Sequence, residues 1–406
     1  MEHDPRHRAL LRLLELTHLA RGDDVAGCVS TALAPLDLAA TCYLVDQEQQ
    51  QLHPLPVPGT TVAARPLAVD GTVAGRAYAL VRAQPGEGHR RWLPLVDGTE
   101  RLGVVELVPG PAADLDGLDD WAQTFTNLVG HLVAVKLPYG DTLHQTRRTR
   151  PMTVAAELLL GMLPPLTFTD DRLVLSCLLQ PSYDVGGDGF DYALDGPYAR
   201  FHVLDAMGRG LSAAVMAVTA LAAIRSARRD GHGLVAMARA ADEALREQFG
   251  RAGFATAVLA DLDVDTGQLR YLNAGHPPPL LLRAGKAVRE LGDGRRLPLG
   301  LDEGIPALGR EQLEPGDRLL LYTDGVVEAR DPDGDLFGTA RLIDHAEQAA
   351  QAQLPAPETL RVLSRHLLAF QSAPTRDDAT LLLLDWTPTP PRRAVPPSPT
   401  AGSLPS

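Results

Sequence analysis

The sequence predicts an α/β protein of two domains, the second built largely on antiparallel sheet. Three observations carry this expectation. Short apolar runs of strand length alternate with longer segments of helical periodicity along most of the 406 residues. The segments 254–264 and 268–274 flank "DTG", a hairpin signal that makes them antiparallel neighbours. At 137–141, "LPYGD" breaks the pattern, because Pro138 and Gly140 both disfavour continuing a helix.

The elements follow in order. Leucines at helical spacing in "RALLRLLELTHLA" (8–20) predict an opening helix. Strand-like runs come next at "AATCYLVD", "VAGRAYALV" and "RLGVVELV", closed by the amphipathic stretch "LDDWAQTFTNLVGHLVAVKL". Residues 1–137 thus read as one compact domain and 138–163 as a linker with a short helix at 153–163. On that helix Val154, Leu158 and Met162 form one apolar stripe, with Ala155, Leu159 and Leu163 beside it, so the stripe is expected to pack on a protein surface. The second domain, 164–386, offers strands at "RLVLSCLLQ", "ARFHVLD", "FATAVLADLDV", "QLRYLNA", "DRLLLYTD" and "ATLLLLDW". Helices are expected at about 210–229, 233–249, 339–350 and 357–371. The remainder, 387–406, is too rich in proline and too poor in large apolar residues to build a core, and reads as a disordered tail.

Composition excludes several classes. A formal charge of −13 argues against nucleic acid as a partner, since phosphate backbones are held by clustered Lys and Arg. Cys28, Cys42 and Cys177 form no CxxC pair, so neither a zinc knuckle nor a disulfide framework is indicated and a reducing cytoplasm is expected. No uninterrupted apolar stretch of ~18 residues appears, so no membrane span is expected.

The chemistry concentrates in acids at the edges of apolar strands: Asp188 in "VGGDGFD", Asp205 in "VLDAMGRG", Asp324 in "YTDGVVEA", and Asp377 with Asp378 in "TRDDATLLLL". Any one of them reads as ordinary Asp-Gly turn chemistry. Gathered at one rim, such carboxylates would repel one another and resist ionisation unless hard cations shared them, and an all-oxygen site suits Mg²⁺ or Mn²⁺. Rival motifs fail on the same residues. "GRGLSA" (208–213) matches a dinucleotide turn, but Asp205 would face the pyrophosphate and no second strand with a ribose-binding acid follows. "DPDGD" (331–335) opens like a calcium loop, yet Leu336 stands where the turn needs glycine. His276 in "NAGHPPPLLL" reads either as an acid–base group or as a hydrogen bond holding a turn.

Six motifs in order, "VGGDGFD", "DAMGRGLSAAVM", "NAGHPPPLLL", "LPLG", "LEPGDRLLLYTDGVVEA" and "RDDATLLLL", make residues 155–386 resemble the SpoIIE-like branch of the metal-dependent type-2C (PPM) protein phosphatases. The resemblance implies a four-layer α-β-β-α sandwich and removal of phosphate from phosphoserine or phosphothreonine by metal-activated water. It implies two divalent cations, Mn²⁺ or Mg²⁺: Asp205 would bridge both, Ala206 would offer its carbonyl, Asp188 would hold one, and Asp324 and Asp377 the other. The glycines after Asp205 would let the acid and the next carbonyl point at the metals. The family usually carries an aromatic residue where Gly189 stands and histidine where Arg209 stands. Gly189 is expected to loosen the turn that aims Asp188, and Arg209 to face solvent, with contact to substrate phosphate as the alternative.

The first domain resembles a GAF sensor, which binds small molecules or dimerises. In related two-domain proteins the substrate is an anti-sigma-factor antagonist. The resemblance therefore implies a cytoplasmic phosphatase of a phosphoprotein, regulated by a small-molecule or protein signal or by a second copy at the N-terminal domain. Two alternatives stand beside it: a catalytically silent signalling scaffold, and a hydrolase of a small phosphoester.

Overall fold

The structure is a computed structural model that describes residues 4–57, 64–114, 117–180, 183–184, 186–301, 304, 306–371 and 378–387. It divides into two compact units, which part at Arg150 and Pro151.

The first unit is a six-stranded antiparallel sheet between helices. Its helices are α1 (Pro5–Thr17), α2 (Val25–Leu33), α3 (Val73–Leu80), α4 (Leu118–Lys136) and α5 (Thr142–Thr146). Its strands are β1 (Leu38–Val45), β2 (Gln51–Pro54), β3 (Leu67–Ala68), β4 (Gln84–Pro85), β5 (Arg91–Asp97) and β6 (Glu100–Pro109), in the order β3-β2-β1-β6-β5-β4. Alternation along β1 serves two cores: Cys42 and Leu44 face α1, α2 and α4, whereas Tyr43 and Val45 face α3. The Asp4 carboxylate accepts the Arg6 N–H at 3.0 Å and Pro5 opens the first turn, so α1 begins where its capping residues stand.

The strand expected at 73–81 is instead helix α3. The Thr72 hydroxyl accepts the Gly75 N–H at 2.9 Å, and Ala74, Ala77 and Tyr78 then recur on one buried face. Gly75 lets the helix approach the preceding segment, since a Cβ there would stand 1.6 Å from the Val69 carbonyl oxygen. The stretch read as a linker is divided. Leu143 of α5 is buried in the first core and Arg147 Nε donates to the Val45 carbonyl at 3.1 Å, so the first unit runs on to Arg150.

The second unit is a sandwich of two six-stranded sheets with helices on both outer faces. It opens with α6 (Val154–Leu160), β7 (Thr167–Thr169), β8 (Leu173–Gln180), β9 (Asp188–Asp195) and β10 (Tyr198–Ala206). Helices α7 (Gly210–Arg229) and α8 (Leu234–Phe249) follow, then β11 (Ala255–Asp263), β12 (Gln268–Ala274), β13 (Leu280–Arg283), β14 (Lys286–Glu290), β15 (Arg295–Arg296), β16 (Gly309–Gln312) and β17 (Arg318–Tyr322). The unit closes with α9 (Asp324–Val327), α10 (Gly338–Gln351), α11 (Ala356–Gln371) and β18 (Ala379–Trp386). One sheet runs β15-β12-β11-β10-β9 with β16 on β12; the other runs β14-β13-β17-β18-β8-β7.

Phe190, Phe201, Val203, Leu382 and Leu384 fill the space between the sheets. Helices α6, α7 and α8 cover the first sheet, and α10 and α11 the second, so the four layers are α-β-β-α. Within this unit α6 buries Ala155 and Leu159 of the row beside the expected stripe, together with Ala156, while Val154 and Leu158 are 69% and 39% exposed. Among the described residues α7 is the one helix long and apolar enough to cross a bilayer, and its buried face belongs to this core.

Candidate metal centre

Asp188 opens β9 and Asp205 sits near the end of β10, and the two stand directly opposite each other in the antiparallel register. Their side chains therefore project from one sheet face at one rim, as close as cross-strand neighbours come. Asp188 is 1% exposed. Burial, then the Asp205 and Asp378 carboxylates, push its pKa well above the usual carboxylate range, against hydrogen bonds from Thr323 and Thr380 that pull it down.

The second sheet reaches this rim through Thr323. Its hydroxyl donates to Asp188 Oδ2 at 2.7 Å and accepts the Thr380 N–H at 2.9 Å. Asp324 follows Thr323 directly, as the first residue of α9, so the same bond draws the strand ends carrying Asp188 and Asp324 together. A Cβ at Gly325 would stand 1.8 Å from the Asp378 carbonyl oxygen, which accounts for glycine after Asp324.

Asp378 Oδ2 accepts the N–H groups of Gly186 and Gly187 at 2.8 and 2.7 Å. The Gly187 carbonyl in turn accepts the Ala206 N–H at 3.0 Å, and the Ala206 carbonyl oxygen lies 2.8 Å from where a Cβ on Gly187 would stand. Beyond Ala206 the chain turns at Gly208, φ +96°, and enters α7 at Gly210, φ +68°. The glycines thus release the chain sharply after the acid, as the sequence implied.

Asp188, Asp205 and Ala206 are brought together, and the strand end bearing Asp324 joins them. Asp377 lies outside the described residues, and among those described no three acidic, histidine or cysteine side chains close into a complete ligand set. The residues present nonetheless fit hard divalent cations. All the donors are oxygens, and a fully buried carboxylate between two like charges requires either a proton or a cation.

The family profile of Stage II sporulation protein E (SpoIIE) matches residues 195–387. These residues form a SpoIIE/PP2C-type domain. It is homologous to PPM serine/threonine phosphatases. The chain is similar to Protein IcfG of Synechocystis sp., 24% identical over 248 residues, which covers 54% of this chain and 39% of that protein. It is also similar to the phosphoserine phosphatase RsbU of Bacillus subtilis, 25% identical over 268 residues, which covers 62% of this chain and 77% of RsbU. Among solved structures, the RsbU and RsbW domains of Rv1364c from Mycobacterium tuberculosis are 29% identical, cover 56% of this chain and 63% of that one, and superpose with a TM-score of 0.46. Other solved neighbours hold magnesium or two manganese ions.

Two positions expected from the resemblance to differ, Gly189 and Arg209, take clear places. Gly189 lies inside β9, not in a turn, and faces the helices: a Cβ there would meet Leu221 at 3.0 Å and Leu159 at 3.7 Å. Two leucines thus occupy the space a side chain at 189 would need, and the expectation of a loosened turn does not hold. Arg209 is exposed at the start of α7.

Sequence reasoning missed Thr323 and Thr256 at the rim, and it named Asp378 among the strand-edge acids without giving it a role. Thr323 stood in "YTD" beside Asp324 and Asp378 in "RDD" beside Asp377, so adjacency to a candidate ligand was the available signal. Thr256 is marked only by the register that sets it opposite Asp205. His276 sits in a turn that Asn273 holds, its Oδ1 accepting the His276 N–H at 2.8 Å and its Nδ2 donating to the His276 carbonyl at 2.9 Å, while the imidazole meets the Thr256 hydroxyl.

Proposed function

We propose that this chain is a metal-dependent protein serine/threonine phosphatase of the cytoplasm, acting on a phosphoprotein of the anti-sigma-factor antagonist class. The observation that carries the reading is the opposition of buried Asp188 and Asp205 with Asp378 beside them. Asp188, Asp205, Asp324 and Asp377, with the Ala206 carbonyl, would hold two divalent cations, Mn²⁺ or Mg²⁺. When bound, such ions lower the pKa of water and offset charge on phosphoryl oxygens during in-line displacement.

The remaining work falls to the chain. Thr323 keeps one Asp188 oxygen fixed by its donated proton, and Asp378 anchors the Gly186–Gly187 backbone against the Asp205 turn. The acids are thereby aimed before substrate arrives, and preorganisation of this kind spares reorganisation during reaction. The exposed rim after Asp205, Met207 to Gly210, leaves a phosphorylated side chain room to enter.

Regulation by the N-terminal unit, as a GAF-like sensor of a small molecule, a protein signal or a second copy, completes the reading. Two features of the second unit support it. The exposed row Val154 and Leu158 on α6 offers an apolar surface. Arg225 of α7 donates to the Met162 carbonyl at 3.0 Å and pairs with buried Asp191 at 2.8 Å, so the chain after α6 is tied to the strand that carries Asp188.

The test is hydrolysis by the purified chain of a phosphoserine and phosphothreonine peptide panel with Mn²⁺, with chelator, and in Asp205→Asn. Metal-dependent turnover that Asp205→Asn abolishes supports the reading. Turnover only on small phosphoesters, or none, overturns it.

A further inference from the structure

Three large apolar side chains stand in solvent around the rim that carries Asp205. Met207, two residues after that acid, is 43% exposed, Leu211 in the first turn of α7 is 50% exposed, and Leu297 is 59% exposed. The backbone brings Leu297 to the same rim. The Met207 N–H donates to the Phe254 carbonyl at 3.0 Å, and Ala206 and Ala255 are partners in the register of β10 and β11. On its other side Ala255 exchanges both backbone hydrogen bonds with Leu299, at 3.0 and 2.8 Å. Leu299 therefore stands about 10 Å from Ala206, two strand spacings, and Leu297 lies two residues from it. Asp242 of α8 fixes this segment: its carboxylate accepts the Gly300 N–H at 2.8 Å, and Arg296 Nη2 donates to both its oxygens at 2.9 Å.

Scattered singly, exposed leucines are ordinary surface, but large apolar groups gathered at the mouth of a site mark an interaction surface. The site itself decides the occupant. A phosphoryl group held beside Asp188 and Asp205 brings its own chain over this rim. An extended chain advances about 3.3 Å per residue, so residues within about five positions of the phosphorylated one reach from Met207 to Leu297. Arg209, exposed between Met207 and Leu211, sets a cation beside that path and complements the charge of a phosphorylated partner.

We propose that Met207, Leu211 and Leu297 are specificity-determining residues, an apolar lip that selects phosphoprotein segments carrying a large apolar side chain within about five positions of the phosphorylated residue. Such a side chain covers the lip and removes it from water, whereas a polar one leaves it wet. The proposal rests on the reading of the chain as a protein phosphatase, and its test separates the two.

The test is kcat/KM of the full chain at saturating Mn²⁺ on two phosphoserine peptides, with p-nitrophenyl phosphate as a third substrate. The peptides differ only at the third and fourth positions on either side of the phosphoserine, which are leucine in one and serine in the other. Wild type is expected to favour the leucine peptide roughly five- to tenfold, the effect of half-burying a leucine. Leu211→Ser and Leu297→Ser, both at exposed positions, are each expected to cut that ratio about threefold, and the double variant to bring it within about twofold of one. General damage to the centre slows both peptides alike and cancels in the ratio. A wild-type ratio near one overturns the proposal, as does a ratio that survives in the double variant. A ratio near one with turnover of both peptides that changes with protein concentration overturns it too, and assigns the face to a second copy. Hydrolysis of p-nitrophenyl phosphate with neither peptide cleaved overturns the phosphoprotein reading itself, a result distinct from a failed ratio.

Discussion

Asp188 and Asp205 face each other across adjacent antiparallel strands, and burial together with this opposition holds Asp188 well above the usual carboxylate range. The sign of the consequence follows from linkage. A carboxylate whose folded-state pKa is raised withdraws stability as pH rises through that pKa, because the ionised form is the disfavoured one. Asp188→Asn should therefore raise the melting temperature of the chelated protein at neutral pH, by about 2–4 °C for each kcal/mol of repulsion relieved, and abolish further stabilisation by Mn²⁺. Calorimetric melting with chelator and then with Mn²⁺ reads both; an unchanged Mn²⁺ response would remove Asp188 from the centre.

Thr323 ties the sheets through Asp188 Oδ2, and both residues are buried. Thr323→Val keeps the shape and removes the donor, so it should destabilise by roughly 1–3 kcal/mol, with Thr323→Ser close to wild type. Denaturant unfolding of the three proteins makes the comparison. Equal midpoints would mean that the bond contributes nothing net.

Gly189 leaves no room for an aromatic side chain, because Leu159 and Leu221 fill the space. Gly189→Phe should destabilise by about 1–3 kcal/mol through overpacking, and Leu221→Ala in the same chain should recover part of the loss. Additive losses in the double variant would contradict this placement.

His202 on β10 is fully buried and, with burial as the leading cause, its pKa is lowered to about 4. A base with a depressed folded-state pKa supplies stability above its ordinary value that disappears as pH falls. Between about pH 6.5 and about 4 the protein should lose roughly 3 kcal/mol through this group. His202→Leu should flatten that part of the stability profile, and an unchanged acid limb would assign the loss to other groups.

Leu158 is 39% exposed on α6 while its neighbour Leu159 is buried. Leu158→Glu should therefore leave the melting temperature nearly unchanged and alter the specific activity of the full chain, whereas Leu159→Ala should cost about 2–5 kcal/mol. Unchanged metal-dependent turnover in a folded Leu158→Glu protein would rule out this face as the route of regulation.

Much of this architecture was legible in the residues themselves. Helices α7, α8, α10 and α11 and strands β8, β10, β11, β12, β17 and β18 lie where apolar period and turn residues placed them, because each buries a full face and so keeps a clean pattern. Segment 73–81 misled, because alanine and glycine mixed with a few larger apolar residues carry little period, and the deciding Thr72 cap is a single hydroxyl. The order of the acidic motifs likewise pointed to Asp188, Asp205 and Asp324.

By itself the sequence determined the long helices and strands of the second unit and which acids stand at strand ends, since both depend on neighbours within a few positions. Tertiary structure alone decided that Thr323 donates to Asp188, that Asp378 caps the Gly186–Gly187 backbone, that His276 meets Thr256, and which row of α6 is buried. Most of these contacts join residues distant in the chain, and all depend on how sheets and helices stack. Such relations are set by the packing of whole layers, where a shift of one residue in register reverses every side chain, and no local pattern encodes them.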